Sequence, residues 1–244
     1  MNNLPVLIIN LSERKDRWTE IQKSFEEKWP GVYLERIDAV KASPGWIGCL
    51  RSHKKAVQIA KKRKYPYVLV LEDDCLPADD SFERFQEILP LLEKRNDWDI
   101  FSGGTTFVSN INLLPQVAQQ INLMSSNKSP PLFKVKSYAT QFVLIHERAY
   151  NKILNGSEKK PIDMFYHENM NILCTYPHLA TQTISKSNIE NKVSNYNESF
   201  EKSNSILKSV LKGQKGGSVQ TNYETPLVLG LTALLGFCLF KRFN

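Results

Sequence analysis

No Cys-x-x-Cys pair occurs in this 244-residue chain, and its four cysteines, Cys49, Cys75, Cys174 and Cys238, are scattered. That spacing indicates neither a cysteine-built zinc site nor a disulfide framework, and it fits a reducing compartment without requiring one. The N-terminus has no basic region, apolar core and small-residue cleavage site in succession, because the apolar segment Val6 to Ile9 is far too short. No N-terminal export is therefore expected. Internal repeats are also lacking. The basic run Lys61-Lys62-Arg63-Lys64 has no aromatic residues interleaved as base-stacking platforms, so it reads as a solvated helix end and no nucleic-acid partner is expected.

What is present is a net charge of +7 and a sequence pI of about 9.1, which favour anionic partners in general. The length suits one α/β domain with an appendage. The appendage stands out at Pro226 to Phe240, uncharged and almost wholly apolar, with Lys241 and Arg242 directly after it. At ~1.5 Å per residue the segment falls slightly short of a ~30 Å hydrocarbon core, and snorkelling flanks or local thinning make up the difference. The expectation is a globular domain over 1–190, a polar flexible linker over 191–224 and a single-pass C-terminal transmembrane anchor over 225–241. Insertion after synthesis would leave the large domain on the cytosolic side. The alternative for the tail is a buried core helix.

Along the chain, strand and helix patterns alternate. Leu4 to Ile9 reads as a strand, and Trp18, Ile21 and Phe25 recur at helical spacing. Val32 to Val40 is extended, and Ser52 is placed to cap a helix through Ala56, Val57 and Ala60. Phe82, Phe85, Ile88 and Leu89 mark another helix bounded by Pro90, and Trp98 to Phe101 a further strand. From Thr105 to Pro131 the pattern weakens, which suggests a long loop or lid. Ala139 to Ile145 reads as a strand, and Arg148 to Leu154 as a short helix. Such alternation predicts an α/β fold whose mixed sheet is mostly parallel and flanked by helices.

One stretch carries chemistry. Tyr67 to Leu71 is an apolar, β-prone run that ends abruptly in Glu72, Asp73 and Asp74. Three adjacent carboxylates at the end of a buried strand repel one another. A divalent cation relieves that repulsion and in turn holds phosphate oxygens. The plainer alternative is a solvated acidic loop.

Four segments in order, Asn10 to Arg17, Gly48-Cys49-Leu50-Arg51-Ser52-His53, Leu71 to Asp74 and Pro161-Ile162-Asp163, resemble glycosyltransferase family 25, which includes lipopolysaccharide glycosyltransferases and collagen galactosyltransferases. The likeness runs from about Val6 to Ile189. Two departures weaken the acceptor side: Trp46 stands where the family often has an acidic residue, and Ala139-Thr140-Gln141-Phe142 matches only approximately. The resemblance implies a GT-A type nucleotide-sugar-binding domain. It also implies inverting transfer of a hexose, galactose or glucose, from a UDP-sugar to a glycan, lipid-linked or protein hydroxyl.

In that reading Asp74 is the first choice as direct ligand of Mn²⁺ or Mg²⁺, with Glu72 and Asp73 holding metal-bound water or the donor ribose. Asn10, Arg14, Arg17 and His53 face the donor, and the guanidinium groups pair with diphosphate oxygens. Asp163 is the candidate general base, or alternatively an N-cap. His178 is a possible further ligand, although a structural role is the more ordinary one. The alternative function is a membrane-anchored, non-catalytic paralogue that binds a glycan or nucleotide.

Overall fold

The computed structural model describes residues 4–114, 130–186 and 193–213. Its centre is an eight-stranded sheet in the order β2-β1-β3-β8-β5-β9-β7-β6. The strands are β1 (Val6–Asn10), β2 (Leu34–Asp38), β3 (Tyr67–Glu72), β5 (Ile100–Ser102), β6 (Phe107–Leu113), β7 (Leu132–Tyr138), β8 (Phe142–His146) and β9 (Ile172–Thr175). The pairings β1 with β2, β1 with β3 and β5 with β9 are parallel, and β7 and β8 run against their neighbours. Six strands therefore share one direction, and the sheet is mixed and mostly parallel as expected. A short pair, β4 (Cys75–Pro77) with β10 (Ala180–Gln182), lies outside it, as does the ribbon β11 (Ser185–Lys186) with β12 (Val193–Ser194).

Two apolar layers sandwich the sheet, and β1 shows why. All five of its residues are buried, but Leu7 and Ile9 belong to one core and Val6 and Ile8 to the other, as the twofold period of a strand requires. On the Leu7 face pack α2 (Gly45–Lys62), α4 (Glu147–Leu154) and α5 (Ile162–Asn169). On the Val6 face pack α1 (Lys15–Lys28) and α3 (Ser81–Glu93), with Trp29 fully buried among Phe25, Phe82, Phe85 and Phe142.

Several elements differ from the sequence expectation, each for a physical reason. Helix α3 continues through Pro90 to Glu93, because Pro90 sits on the exposed side and the buried Leu92 keeps the apolar stripe going. The segment read as a lid contains β6, paired with β7, which itself went unread; residues 115–129 of that segment lie outside the described residues. Helix α2 begins at Gly45 after Pro44, so Ser52 and His53 lie two turns inside it and Ser52 is not its cap.

The largest difference is in the stretch read as linker. Residues Asn197–Gly213 form a helix, α6, that packs on β6 and β10. Phe200, Ser203, Leu207 and Val210 are its buried face, a narrow stripe at i, i+3, i+7 and i+10 in an otherwise Asn-, Ser- and Lys-rich sequence. The apolar segment Pro226 to Phe240 lies outside the described residues. Among the described residues no helix is long and apolar enough to cross a membrane.

Candidate active site

The parallel strands β1 and β3 deliver their last residues, Asn10 and Glu72, to the same edge of the sheet, where open α/β sheets hold ligands. Asn10 is buried and fully used. Its Nδ2 donates to Asp73 Oδ2 at 2.7 Å and to the Arg14 carbonyl at 3.0 Å, while its Oδ1 accepts from Arg36 Nε at 2.8 Å.

Helix α1 supplies the counter-charge. Arg17, Ile21 and Phe25 share one face at i, i+4 spacing, so the packing that buries the two apolar side chains carries the guanidinium under the strand ends. Arg17 donates from one terminal nitrogen to Asp73 Oδ1 at 2.8 Å, and the same nitrogen lies 3.6 Å from Asp74 Oδ2. Both Arg17 and Asp73 are close to nine-tenths buried, at 9% and 11% side-chain exposure. Arg14 is directed differently, onto Asp16 at the surface at 2.8 Å.

His53 arrives from α2. Gly48 makes the approach possible: a Cβ there would sit 2.4 Å from the Val40 carbonyl oxygen. Ser52 Oγ then donates to the Gly48 carbonyl and accepts from the Val40 N–H, each at 2.7 Å, which locks the helix to the loop after β2. The fully buried His53 ring consequently lies between Glu72 and Tyr166, Nε2 3.3 Å from Glu72 Oε1 and Nδ1 3.5 Å from the Tyr166 hydroxyl. The Thr140 hydroxyl donates to the same Glu72 oxygen. Thr140 follows Ala139, whose φ of 97° is a strained value for a residue with a side chain, and strain of this kind concentrates at functional sites.

The three carboxylates therefore differ. Asp73 is ion-paired with Arg17 and accepts a hydrogen bond from Asn10. Burial pushes Glu72 up, but His53, Thr140 and Arg17 outweigh it and leave the group below its ordinary value. Among the described residues the Asp74 carboxylate meets Arg17 at 3.6 Å and Gln182 at a long 3.5 Å, and burial with the charges of Glu72 and Asp73 pushes it up to about 7. The local negative charge is under-compensated, and Asp74 is where it collects.

Asp163 lies inside the first turn of α5, whose N-cap is Pro161, so it is not the cap itself; its Oδ1 accepts from the Met164 N–H at 2.8 Å. Burial raises its pKa and the negative charge of Glu72 raises it further, while the Met164 N–H and His53 oppose the rise. His178 is elsewhere. It lies in a buried network with Thr105 and Ser203, each 3.2 Å from its Nε2, and its backbone N–H donates to Asn204 of α6. That network fastens α6, which is the ordinary structural role.

Sequence reasoning thus named most of the convergent residues, Asn10, Arg17, His53, Glu72, Asp73, Asp74 and Asp163. It missed Arg36, Tyr166 and the contact of Thr140 with Glu72. Only the alternation of β2 places Arg36 toward Asn10, and no short motif announces it. No protein-family model matches the chain, and no curated protein matches it. Among solved structures, a galactosyltransferase, LgtC, in complex with donor and acceptor sugar analogs is similar at 12% identity, with a TM-score of 0.38, over 70% of this chain and 73% of its own. So distant a likeness carries no argument, and the functional reading rests on the residues themselves.

Proposed function

We propose that this chain is a metal-dependent, inverting glycosyltransferase of the family 25 type. It would transfer galactose or glucose from a UDP-sugar to a hydroxyl of a glycan, lipid-linked or protein acceptor. The observation that carries the proposal is the under-compensated carboxylate cluster at the carboxyl ends of β1 and β3, with a buried arginine and histidine built into it.

The donor set fits a hard divalent cation. Its atoms are carboxylate oxygens, and Asp74 is the least engaged of the three, with its charge disfavoured by its neighbours. Asp74 would be the direct ligand of Mn²⁺ or Mg²⁺, and Glu72 would hold it directly or through water. When bound, the ion neutralises the negative charge that develops on the departing nucleoside diphosphate.

The chain's own groups do the rest. Asn10 and Arg17 hold Asp73 rigid, so its orientation toward the donor is fixed before binding. Arg17, 3.6 Å from Asp74, brings positive charge to the position the diphosphate would take, and Arg14 stands at the start of the same helix. His53, fully buried behind Glu72, would fix that carboxylate's orientation toward the donor from beneath. Asp163, with one oxygen tied to its own helix and its pKa raised, is suited to take the acceptor proton at the other oxygen.

The apolar tail would tether this domain to a membrane with the large part cytosolic, a placement that protease protection of intact membranes tests. For the activity, the deciding assay is turnover of UDP-hexoses with and without divalent ion. Turnover should require the ion and vanish in Asp74→Asn while the fold survives. Full activity in excess chelator would overturn the proposal.

A further inference from the structure

The proposed transferase chemistry makes no use of Cys49. Cys49 and His53 are four residues apart on α2 and so share a face, and Glu72 meets them from the end of β3. Their ligand atoms, one sulfur, one imidazole nitrogen and one carboxylate oxygen, all lie within 4.8 Å of one another. We propose that Cys49, His53 and Glu72 form a second metal site, selective for a thiophilic four-coordinate divalent cation of the zinc class, with water as the fourth ligand.

The geometry supports this in two ways. Nitrogen and oxygen ligands each ~2.0 Å from a tetrahedral zinc stand ~3.3 Å apart, and His53 Nε2 stands 3.3 Å from Glu72 Oε1. Sulfur and nitrogen on such an ion stand ~3.5 Å apart, so the Cys49 sulfur has to close by at most about 1.3 Å, within reach of a side-chain rotation. The surroundings also supply what metal-bound histidines ordinarily have, a partner for the other ring nitrogen: the Tyr166 hydroxyl faces Nδ1 at 3.5 Å. Thr140 holds the ligating carboxylate in the same way.

The Cys49 thiol gives up its proton to solvent and the thiolate binds the cation. The imidazole binds through Nε2, with its single proton on Nδ1, where the Tyr166 oxygen accepts it. The ligand set separates this site from the carboxylate site, because oxygen-preferring Mg²⁺ and Mn²⁺ have little use for a thiolate, whereas zinc and cobalt(II) bind one readily.

A consequence follows that rests on the proposed function: a zinc-class ion on His53 and Glu72 withdraws both from the donor, so it inhibits transfer and competes with UDP-sugar.

The test uses the full chain carrying Cys238→Ser, titrated with Co²⁺ as the probe. The expected result is a thiolate-to-cobalt charge-transfer band in the near ultraviolet with the intense visible absorption of four-coordinate cobalt, saturating at one thiolate-bound ion per chain. Cys49→Ser should abolish the charge-transfer band, Asp74→Asn should retain it, and Zn²⁺ should bleach it while Mg²⁺ does not. Weak absorption of six-coordinate, oxygen-ligated cobalt, or an unchanged charge-transfer band in Cys49→Ser, would overturn the proposal. A second measurement needs no variant: Zn²⁺ should slow alkylation of Cys49 at least tenfold, read by peptide mass, and an unchanged rate counts against the site. The activity arm is separate. Zinc should inhibit the unsubstituted enzyme and spare Cys49→Ser, and if no UDP-hexose turns over at all, the proposed function fails while the cobalt spectra still decide the metal site.

Discussion

Replacing Asp74 by asparagine should make the metal-free protein more stable while removing its metal site. In the fold this carboxyl is pushed up to about 7 from 3.8, by burial first and by the charges of Glu72 and Asp73. A raised folded-state pKa means that between these two values the native state holds a proton the unfolded chain has lost. Stability is therefore fully present below pH ~4 and falls as pH rises through ~7. Three units at ~1.36 kcal/mol each give a ceiling of roughly 4 kcal/mol, and coupling to Glu72 makes ~2–4 kcal/mol the expected range. Asparagine is nearly the same shape, cannot ionise, and so does not lose that stability. Urea denaturation in chelator should show the variant level with the unsubstituted protein near pH 4.5 and ~2–4 kcal/mol more stable at pH 8, with a divalent ion narrowing the gap by stabilising only the unsubstituted protein. Equal stability at both pH values, or a variant weaker at pH 8, would refute the claim that charge at Asp74 is under-compensated.

Further outcomes follow from other parts of the structure. Ending the chain at Asn188 should unfold it, because Phe200, Leu207 and Val210 together contribute roughly 5–9 kcal/mol of burial, comparable with the whole stability of a domain; a cooperative melt from the shortened chain would show α6 to be dispensable. Asp163→Asn should lower turnover by at least ~10²-fold with donor affinity little changed, measured by steady-state kinetics and equilibrium binding. Loss of donor binding with turnover intact would move Asp163 into the donor site. Ser52→Ala strips the Val40 N–H of its acceptor and should cost about 1–3 kcal/mol in denaturation, with reduced donor affinity because His53 rides on the same helix; unchanged values of both would contradict the locking role of Ser52.

How far the sequence reaches is visible in particular elements. Runs such as Val6 to Ile9 and Tyr67 to Leu71 are legible because a strand buried on both faces must be apolar throughout, and the abrupt change to Glu72-Asp73-Asp74 marks the sheet edge. Helix α6 was not legible, because a stripe one residue wide with Ser203 in its middle looks like polar linker until Thr105 and His178 are seen to satisfy that hydroxyl. The division of labour among the three carboxylates was equally hidden. It depends on Arg17 and Asn10, 56 and 63 residues away from Asp73 along the chain. The metal-ligating potential of Cys49 escaped for a related reason. Cysteine spacing alone reports nothing of a site whose other ligands are a histidine one helical turn on and a glutamate on the neighbouring strand.

The central claim, that the strand-end carboxylates hold a divalent ion and through it a nucleotide sugar, is tested most directly by thermal unfolding with UDP-galactose or UDP-glucose. A ligand that binds the native state must raise the midpoint, by an increment that grows with concentration. The account predicts a rise with UDP-sugar only when Mn²⁺ or Mg²⁺ is present, and none in Asp74→Asn. An equal rise in excess chelator, or an undiminished one in Asp74→Asn, would contradict it.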